Sequence, residues 1–554
     1  MAYGETGDPY NQATGGIPQL ASEQSPSIKP KSEFSREEDD TVYIHGIRFW
    51  FICVALAIIM FLVNFEVPVV ITALVAITND LHGFENVGWV VSSYLLGYVA
   101  VIVICAKFSD ILGRKLIFLS SIVFFIIFSA ACSAAQTMVQ LIIFRAFQGI
   151  GGGGCWSLAT IIVVELVPSE QYAKFVAYIS ITNSLALLLG PIIGGAIASG
   201  TTWRWIFIIN IPIAVPALVI SFLFIPKNYP DQGKLNRNPK SLKDLFSRST
   251  LRRIDIPGTI LILFATLALT AGFEEADKRF PWRSAYVITL LTLSGVLWIG
   301  LAVWERHVTH SETVREPILP WRFISNREMM GILLNFVLLG GPTVICMFIL
   351  PQRFQLVYGT SGLDAGVRLI PFTAVIPIGS IFASIMAGKV KIPPVYLLIL
   401  GSVLQVLGFA LIGTLPSTLD IPARIYGFQV LAGWGCGINF SLLFILIPFV
   451  TEDRDHAVAL GAGSQFRFMG GAIVLAISTS IFNSYVRPRI ESDLGISDPD
   501  AIVQILPSLS QALHEQTRKI FAVGYSHQIL VLAVSAGLQI PATLLMWKKE
   551  QRKI

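Results

Sequence analysis

Two ionisable residues stand inside long apolar stretches: Glu66, within residues 49–75, and Arg145, within 139–164. A carboxyl group surrounded by hydrocarbon pays heavily for its charge, so it takes up a proton more readily than in water. It can then exchange that proton near neutral pH. An arginine stays charged in the same surroundings and needs a carboxylate or carbonyl partner. Together the two residue types suit proton movement; alternatively they form a static pair, with each other or with backbone groups, that ties two segments together. Gln148, three residues after Arg145, shares its helical face and is placed to meet a bound molecule or water. Glu165 and Asp255 lie at the ends of apolar stretches, and no histidine lies deep in one.

A second group of charges is local. The turn Ala106–Lys115 carries Lys107, Asp110, Arg114 and Lys115 between two apolar runs, Gly88–Cys105 and Leu116–Ala135. So short a basic turn makes the flanking segments a hairpin with the turn on the cytoplasmic side. A solvated surface pair is the ordinary fate of such charges.

These residues need elements to hold them. The chain has 554 residues, 54% hydrophobic and 14% charged, with mean hydropathy +0.68. Soluble domains carry about 25% charged residues, so this is a polytopic membrane protein. Fourteen spans are expected, near 49–75, 88–105, 116–136, 139–164, 175–199, 205–225, 254–273, 285–304, 331–350, 366–387, 395–413, 425–449, 458–482 and 525–546. An even count places both termini on one side. Of the 40 lysines and arginines, 27 fall in the tails and loops of that side, 10 in the opposite loops and three in spans. The bias puts both termini in the cytoplasm.

The polar first 46 residues lack the apolar core of a signal peptide, and the first span serves as the targeting signal. The expected divisions are a disordered tail (1–48), a six-helix bundle (49–225), a basic linker (226–253), two additional spans (254–304), a second bundle (305–546) and a short tail (547–554). A weakly amphipathic stretch, Leu506–Phe521, is expected to lie on the membrane surface.

Several chemistries are disfavoured. The six cysteines all fall in apolar runs, which argues against a disulfide framework or metal site. Gly149–Gly154 contains G-x-G-x-x-G, but inside an apolar span with no preceding strand; its small residues let helices pack closely. No G-x-x-x-x-G-K-[ST] loop occurs, and no nucleophile–base cluster. The chain reads as neither an enzyme nor an ATP-driven pump, with no cofactor and no affinity for nucleic acid.

The motifs also carry a resemblance. Asp110, Gly113, Arg114 and Lys115 match the loop signature G-x-L-a-D-r-x-G-r-k of the major facilitator superfamily, with Ala106 and Phe108 replacing its glycine and leucine. Leu141 to Gly151, including Arg145, Gln148 and Gly149, matches the second signature. Gly190-Pro191-Ile-Ile-Gly194-Gly195 is similar to the signature of the antiporter branch. Trp203–Pro212 resembles the start of the sixth span in fourteen-helix drug:proton antiporters. Gln355 and Gly359, Gly433 and Gly435, and Arg467 with Gly470 and Gly471 continue the likeness. The first span departs from the pattern L-D-x-T-I-V-x-x-A-L-P: Glu66 keeps the acid, while Pro68 and Val75 replace the threonine and last proline.

The resemblance implies two pseudo-symmetric six-helix bundles with two additional helices, and a substrate site near the midplane. It implies proton coupling through Glu66 and Arg145. It implies a cytoplasmic latch in which Asp110 faces a helix N-terminus of the other half and Arg114 pairs with Glu165; Gly113 and Lys115 belong to the same gate. The second-half counterpart, Gly388–Pro394, has no acid. Gly190, Pro191, Gly194 and Gly195 would limit leak and favour export, against a simple packing kink. Gln148, Gln355, Gln429 and Trp434 are cavity candidates. The flavour is that of fungal toxin and secondary-metabolite efflux pumps, working as monomers on small amphiphilic organic molecules and protons in the plasma membrane, with the vacuolar membrane as the alternative. Uptake or exchange of a metabolite or siderophore is the competing reading, and a non-transporting sensor a third.

Overall fold

The computed structural model describes residues 43–552 except 83–86, 169–170, 228, 230–246, 278, 312–313, 417 and 495–510. Most of the expected tail and linker, and residues 506–510 of the amphipathic stretch, lie outside the described residues. Fourteen helices are long and apolar enough to cross a membrane. They are α1 (Ile47–Leu81), α2 (Val87–Leu112), α3 (Arg114–Ser133), α4 (Met138–Glu165), α5 (Tyr172–Gly200), α6 (Trp205–Phe224), α7 (Ile256–Glu275) and α8 (Ala285–His310). There follow α9 (Arg327–Leu356), α10 (Gly362–Gly388), α11 (Pro394–Gly413), α12 (Arg424–Val450), α13 (His456–Leu494) and α14 (Gln511–Leu544). Among the described residues there is no β-sheet, only two isolated bridges.

The two halves repeat one packing scheme. In the first, α1 packs on α5, α2 on α4, and α3 on α4 and α6; in the second, α9 packs on α13, α10 on α12, and α11 on α12 and α14. The halves meet where α5 lies on α10 and α2 on α13. The additional pair is not peripheral: α7 packs against α8, α2 and α13 at once. The fold is that of an integral membrane protein built as two six-helix bundles plus two helices.

Small residues set the closest crossings. A Cβ on Gly149 would sit 2.1 Å from the Tyr94 carbonyl oxygen, and one on Gly153 2.3 Å from that of Tyr98. The glycine run of α4 thus packs directly on α2, as close packing requires and a nucleotide loop does not. The proline in the first span does not end it. Helix α1 runs through Pro68, which lies so close to α5 that a Cβ on Gly190 would come within 2.6 Å of it.

The lengths of α13 and α14 differ from expectation. Both extend beyond their apolar cores, and residues 511–521 belong to α14 rather than to a separate surface helix. Aromatic packing joins the two helices at the ends of their apolar spans: Phe482 stands 5.9 Å from Phe521 and 4.9 Å from Tyr525.

Candidate functional site

Glu66 and Arg145 come together, fully buried inside the first bundle. Arg145 Nη1 donates to Glu66 Oε1 at 2.5 Å and to Gln148 Oε1 at 2.8 Å, and its Nε donates to the Val90 carbonyl at 3.0 Å. Gln148 Nε2 donates to the same Glu66 oxygen at 3.0 Å. The other carboxylate oxygen accepts from Asn210 Nδ2 at 2.6 Å. Every partner is a donor, so this arrangement suits the ionised carboxylate. Ser129 accepts from Gln148 and completes the set. Helix α6 is interrupted for one residue at Ile209, and Asn210 begins its second segment.

Between the two bundles lies a cavity of about 1700 Å³. Its walls come from α1, α2, α5, α7, α9, α10, α12, α13 and α14, and include Asn64, Trp89, Asn183, Phe348, Gln352 and Phe468. Its rim lies at the ends of the helices away from the termini, where Gly88, Ala196, Gln355 and Leu363 are found. On the side of the termini the halves are closed. Val103 and Ala106 of α2 join Ala383 of α10 and Ala457 to Leu460 of α13 in one buried cluster. Gln465 of α13 accepts from the Val103 backbone at 3.1 Å and donates to Thr266 of α7 at 2.9 Å. Within the cavity wall, Ser184 of α5 donates to the Thr373 carbonyl of α10 at 2.9 Å.

Glu66 and Arg145 do not line this cavity. The Tyr94 ring does, and the Arg145 guanidinium lies 4.3 Å from its centroid on the protein side. Tyr94 thus connects the ion pair to the cavity wall. In the antiporter motif, Pro191 and Gly195 face the cavity while Gly190 and Gly194 pack on α1, Gly194 beside Thr72.

The turn is compact. Arg114 bonds to Asp110 at 2.5 Å and to Glu165 at 2.8 Å, and also donates to Ser109 at 2.7 Å. All lie in the first bundle. Asp110 Oδ1 meets Arg114, and among the described residues its buried Oδ2 has no hydrogen-bond partner. The side chain of His456, first residue of α13, is within electrostatic range of Glu165. Gly113 takes φ +99°, a value open to glycine, which lets α3 follow α2 with a single residue between them. Lys115 caps α6 through the Phe222 and Ile225 carbonyls, both at 2.6 Å. Across the halves, a Cβ on Gly461 would lie 2.8 Å from the Ala106 methyl. The glycine absent from the turn is thus matched by one in the facing helix.

Of the four cavity candidates, Gln355 lines the cavity. Gln148 is turned to Glu66, Gln429 is buried in α12, and Trp434 packs on Phe382 at 5.6 Å and over Gly379. Aromatic or amide character marks a residue that can meet a ligand, but rotation about the helix decides whether it does. The sequence reading gave no role of their own to Asn210, Gln465 or Lys107, the last of which it named only among the charges of the turn. Lys107 donates to Glu316 at 2.8 Å, and Arg253 meets the same carboxylate at 2.5 Å. Lys107 is almost fully buried although it belongs to a charged turn.

A cavity between two pseudo-symmetric helical bundles, closed at one face and open at the other, defines a carrier of small molecules rather than an enzyme. Residues 54–275 match the Major Facilitator Superfamily. The chain is 37% identical over 518 residues to "MFS-type transporter FPY5" of Fusarium mangiferae, covering 92% of this chain and 86% of that one. It is 26% identical over 530 residues to "Efflux pump aunC" of Aspergillus niger, covering 93% and 89%. The chain belongs to the major facilitator superfamily and is an integral membrane transporter of small molecules. The fold matches the solved human transporter MFSD10 with a TM-score of 0.56 over 91% of this chain and 100% of that one; at 14% identity the likeness concerns the fold alone.

Proposed function

We propose that this transporter exports small amphiphilic organic molecules in exchange for protons by alternating access. The observation that carries the reading is the position of Glu66: a deep carboxylate, fully buried, connected to the wall of the transport cavity through Arg145 and Tyr94. A proton taken there would weaken its pairing with Arg145 and release the tie between α1, α4 and α6. Arg145 tunes the acid; Gln148 and Asn210 hold its anion. The packing of Gly190 and Gly194 on α1 links the antiporter motif to the helix that bears the acid. Asp110, Gly113, Arg114, Lys115 and Glu165 serve as the latch of the closed face. Relatives named as efflux pumps support the direction, and their fungal sources favour a toxin or secondary metabolite as cargo and the plasma membrane as the site.

The test is deletion and overexpression in the producing host, with metabolites measured inside and outside the cell. Export predicts that deletion raises the internal and lowers the external pool of at least one compound, and that Glu66→Gln behaves as the deletion. An unchanged distribution of every compound would overturn the reading.

A further inference from the structure

We infer that Arg467 is an anion anchor and that the preferred cargo is an amphiphilic organic monoanion, an apolar body bearing one group such as a carboxylate. The inference rests on the proposed transport role of the cavity and specifies its substrate class. Arg467 lies eleven residues from the start of α13, about 16 Å along the helix at 1.5 Å per residue, and thus near mid-depth. It lines the cavity and is only 6% exposed. Its guanidinium is held by two rings, with centroids of Phe468 at 4.4 Å and Phe440 at 5.3 Å. Among the described residues it makes no ion pair and no hydrogen bond, and its buried Nε has no partner. The titratable group beside it is the Tyr98 phenol, neutral at ordinary pH.

The backbone around this side chain is built to hold it. Helices α9 and α13 cross closely: a Cβ on Gly340 would lie 2.1 Å from the Arg467 carbonyl oxygen, and one on Gly470 1.9 Å from that of Val337. Next to the crossing, α9 relaxes into a single π turn, Gly341–Ile345, whose Thr343 and Ile345 line the same cavity. The contrast with Arg145 is direct. That arginine has a carboxylate, an amide and a carbonyl; Arg467 offers its donors to the cavity with none of these. A guanidinium in apolar surroundings with no protein counter-charge binds a carboxylate well, because the charge-assisted, two-pronged contact is undiluted by competition. The acids of the wall sit nearer the rim, where Ser92 donates to Glu274 at 2.8 Å. The apolar walls fit the rest of the molecule.

The experiment measures binding of three probes sharing one apolar body to the purified full-length protein: 1-pyrenebutyrate, its primary amide, and the matching trimethylammonium. Fluorescence anisotropy gives the affinities for the wild type, Arg467→Gln and Arg467→Lys. The wild type is expected to bind the carboxylate at least about tenfold more tightly than the amide, as a charge-assisted bond implies. Arg467→Gln should bring that ratio near one while amide affinity stays within about threefold, which also shows that the variant is folded; Arg467→Lys should retain part of the preference. Equal binding of carboxylate and amide by the wild type, preference for the ammonium, or an unchanged ratio in Arg467→Gln would overturn the anchor and leave the cavity's transport role standing. Failure of all three probes to bind would overturn the transport reading of the cavity and the anchor with it.

Discussion

The two bundles solve the same burial problem with and without charge. In the first, Ser129 of α3, Arg145 and Gln148 of α4, and Asn210 of α6 converge, joined by Glu66 of α1. In the second, the corresponding third, fourth and sixth helices supply Ser402 and Gln405, Asn439, and Gln539. Asn439 Nδ2 donates to Gln539 Oε1 at 2.7 Å and to Ser402 at 2.9 Å, and Gln539 Nε2 donates to Gln405 at 3.1 Å. The amide and hydroxyl frame is therefore common, and it pins three helices in both halves. What differs is the acid and its arginine. A frame that repeats without charge is structural; the charge added to one copy calls for another purpose.

That comparison breaks first at Glu66. Glu66→Gln is expected to abolish proton-driven export in cells and in vesicles, and to lower stability, because Arg145 is left buried without a counter-charge. Removing one partner of such a pair costs about 3–5 kcal/mol, less here by what the amide retains. Thermal unfolding of the purified protein reports the loss. Wild-type export by this variant would reduce the first network to the same structural role as the second.

The converse substitution comes next in size. Asn439→Leu leaves the Gln539 side-chain carbonyl without its donor, at a cost of about 1–3 kcal/mol, while the Ser402 hydroxyl keeps its bond to the Leu398 carbonyl. Unfolding should shift while export per folded molecule stays coupled to the proton gradient. Loss of coupling with unchanged stability would assign a functional role to the neutral network.

The turn gives a third contrast. In the first half Asp110, Arg114 and Glu165 form a closed set; in the second, Gly388–Pro394 has lysines and no acid, and Lys391 takes φ +63°. Asp110→Lys places a cation beside Arg114 and should impair export several-fold without preventing membrane insertion, which surface labelling checks. The same exchange at Lys389, to Asp, should do little. Equal effects would mean that the turn only sets topology.

Fold and site were legible to different depths. Fourteen spans follow from apolar length alone, because hydrocarbon requires every backbone group to be bonded within its helix. Glu66 and Arg145 stood out because a charge in such a stretch is costly. Asn210 did not, since an amide near a helix start is commonplace, and its role exists only through the α1–α6 approach. The eighth span was expected to end at residue 304; α8 runs on to His310, so Glu305 lies within the helix, 1% exposed, and accepts from the Ile318 backbone at 3.2 Å. Gln429 and Trp434 have types that suit a cavity, but neither is among its lining residues: Gln429 is buried within α12 and Trp434 packs on Phe382 and over Gly379.

The smallest expected effect concerns Glu316, which joins Lys107 of the first bundle to Arg253 ahead of the additional helices. Partial burial raises the pKa of its carboxyl, but the Lys107 ammonium and Arg253 guanidinium outweigh this and hold it below the usual carboxylate range. A carboxyl whose folded pKa is depressed contributes stability that is fully present above its unfolded value, about 4.3, and is lost as pH falls through the folded one. The contact is thus intact throughout the physiological range and fails only in acid. Glu316→Gln should remove the part of the unfolding transition's pH dependence that lies below about pH 4.3, and change export by no more than about two- to threefold, because the carboxylate is one-third exposed and screened. Asp80, depressed by the Trp203 indole and by Arg204, lies on the opposite face and responds in the same direction, so Asp80→Asn serves as the matched control. If the two substitutions alter export equally, Glu316 is one more surface carboxylate. If only Glu316→Gln does, the additional helices are coupled to the closed face through Lys107, and the asymmetry between the halves extends beyond their cores to the way each is tied to the pair between them.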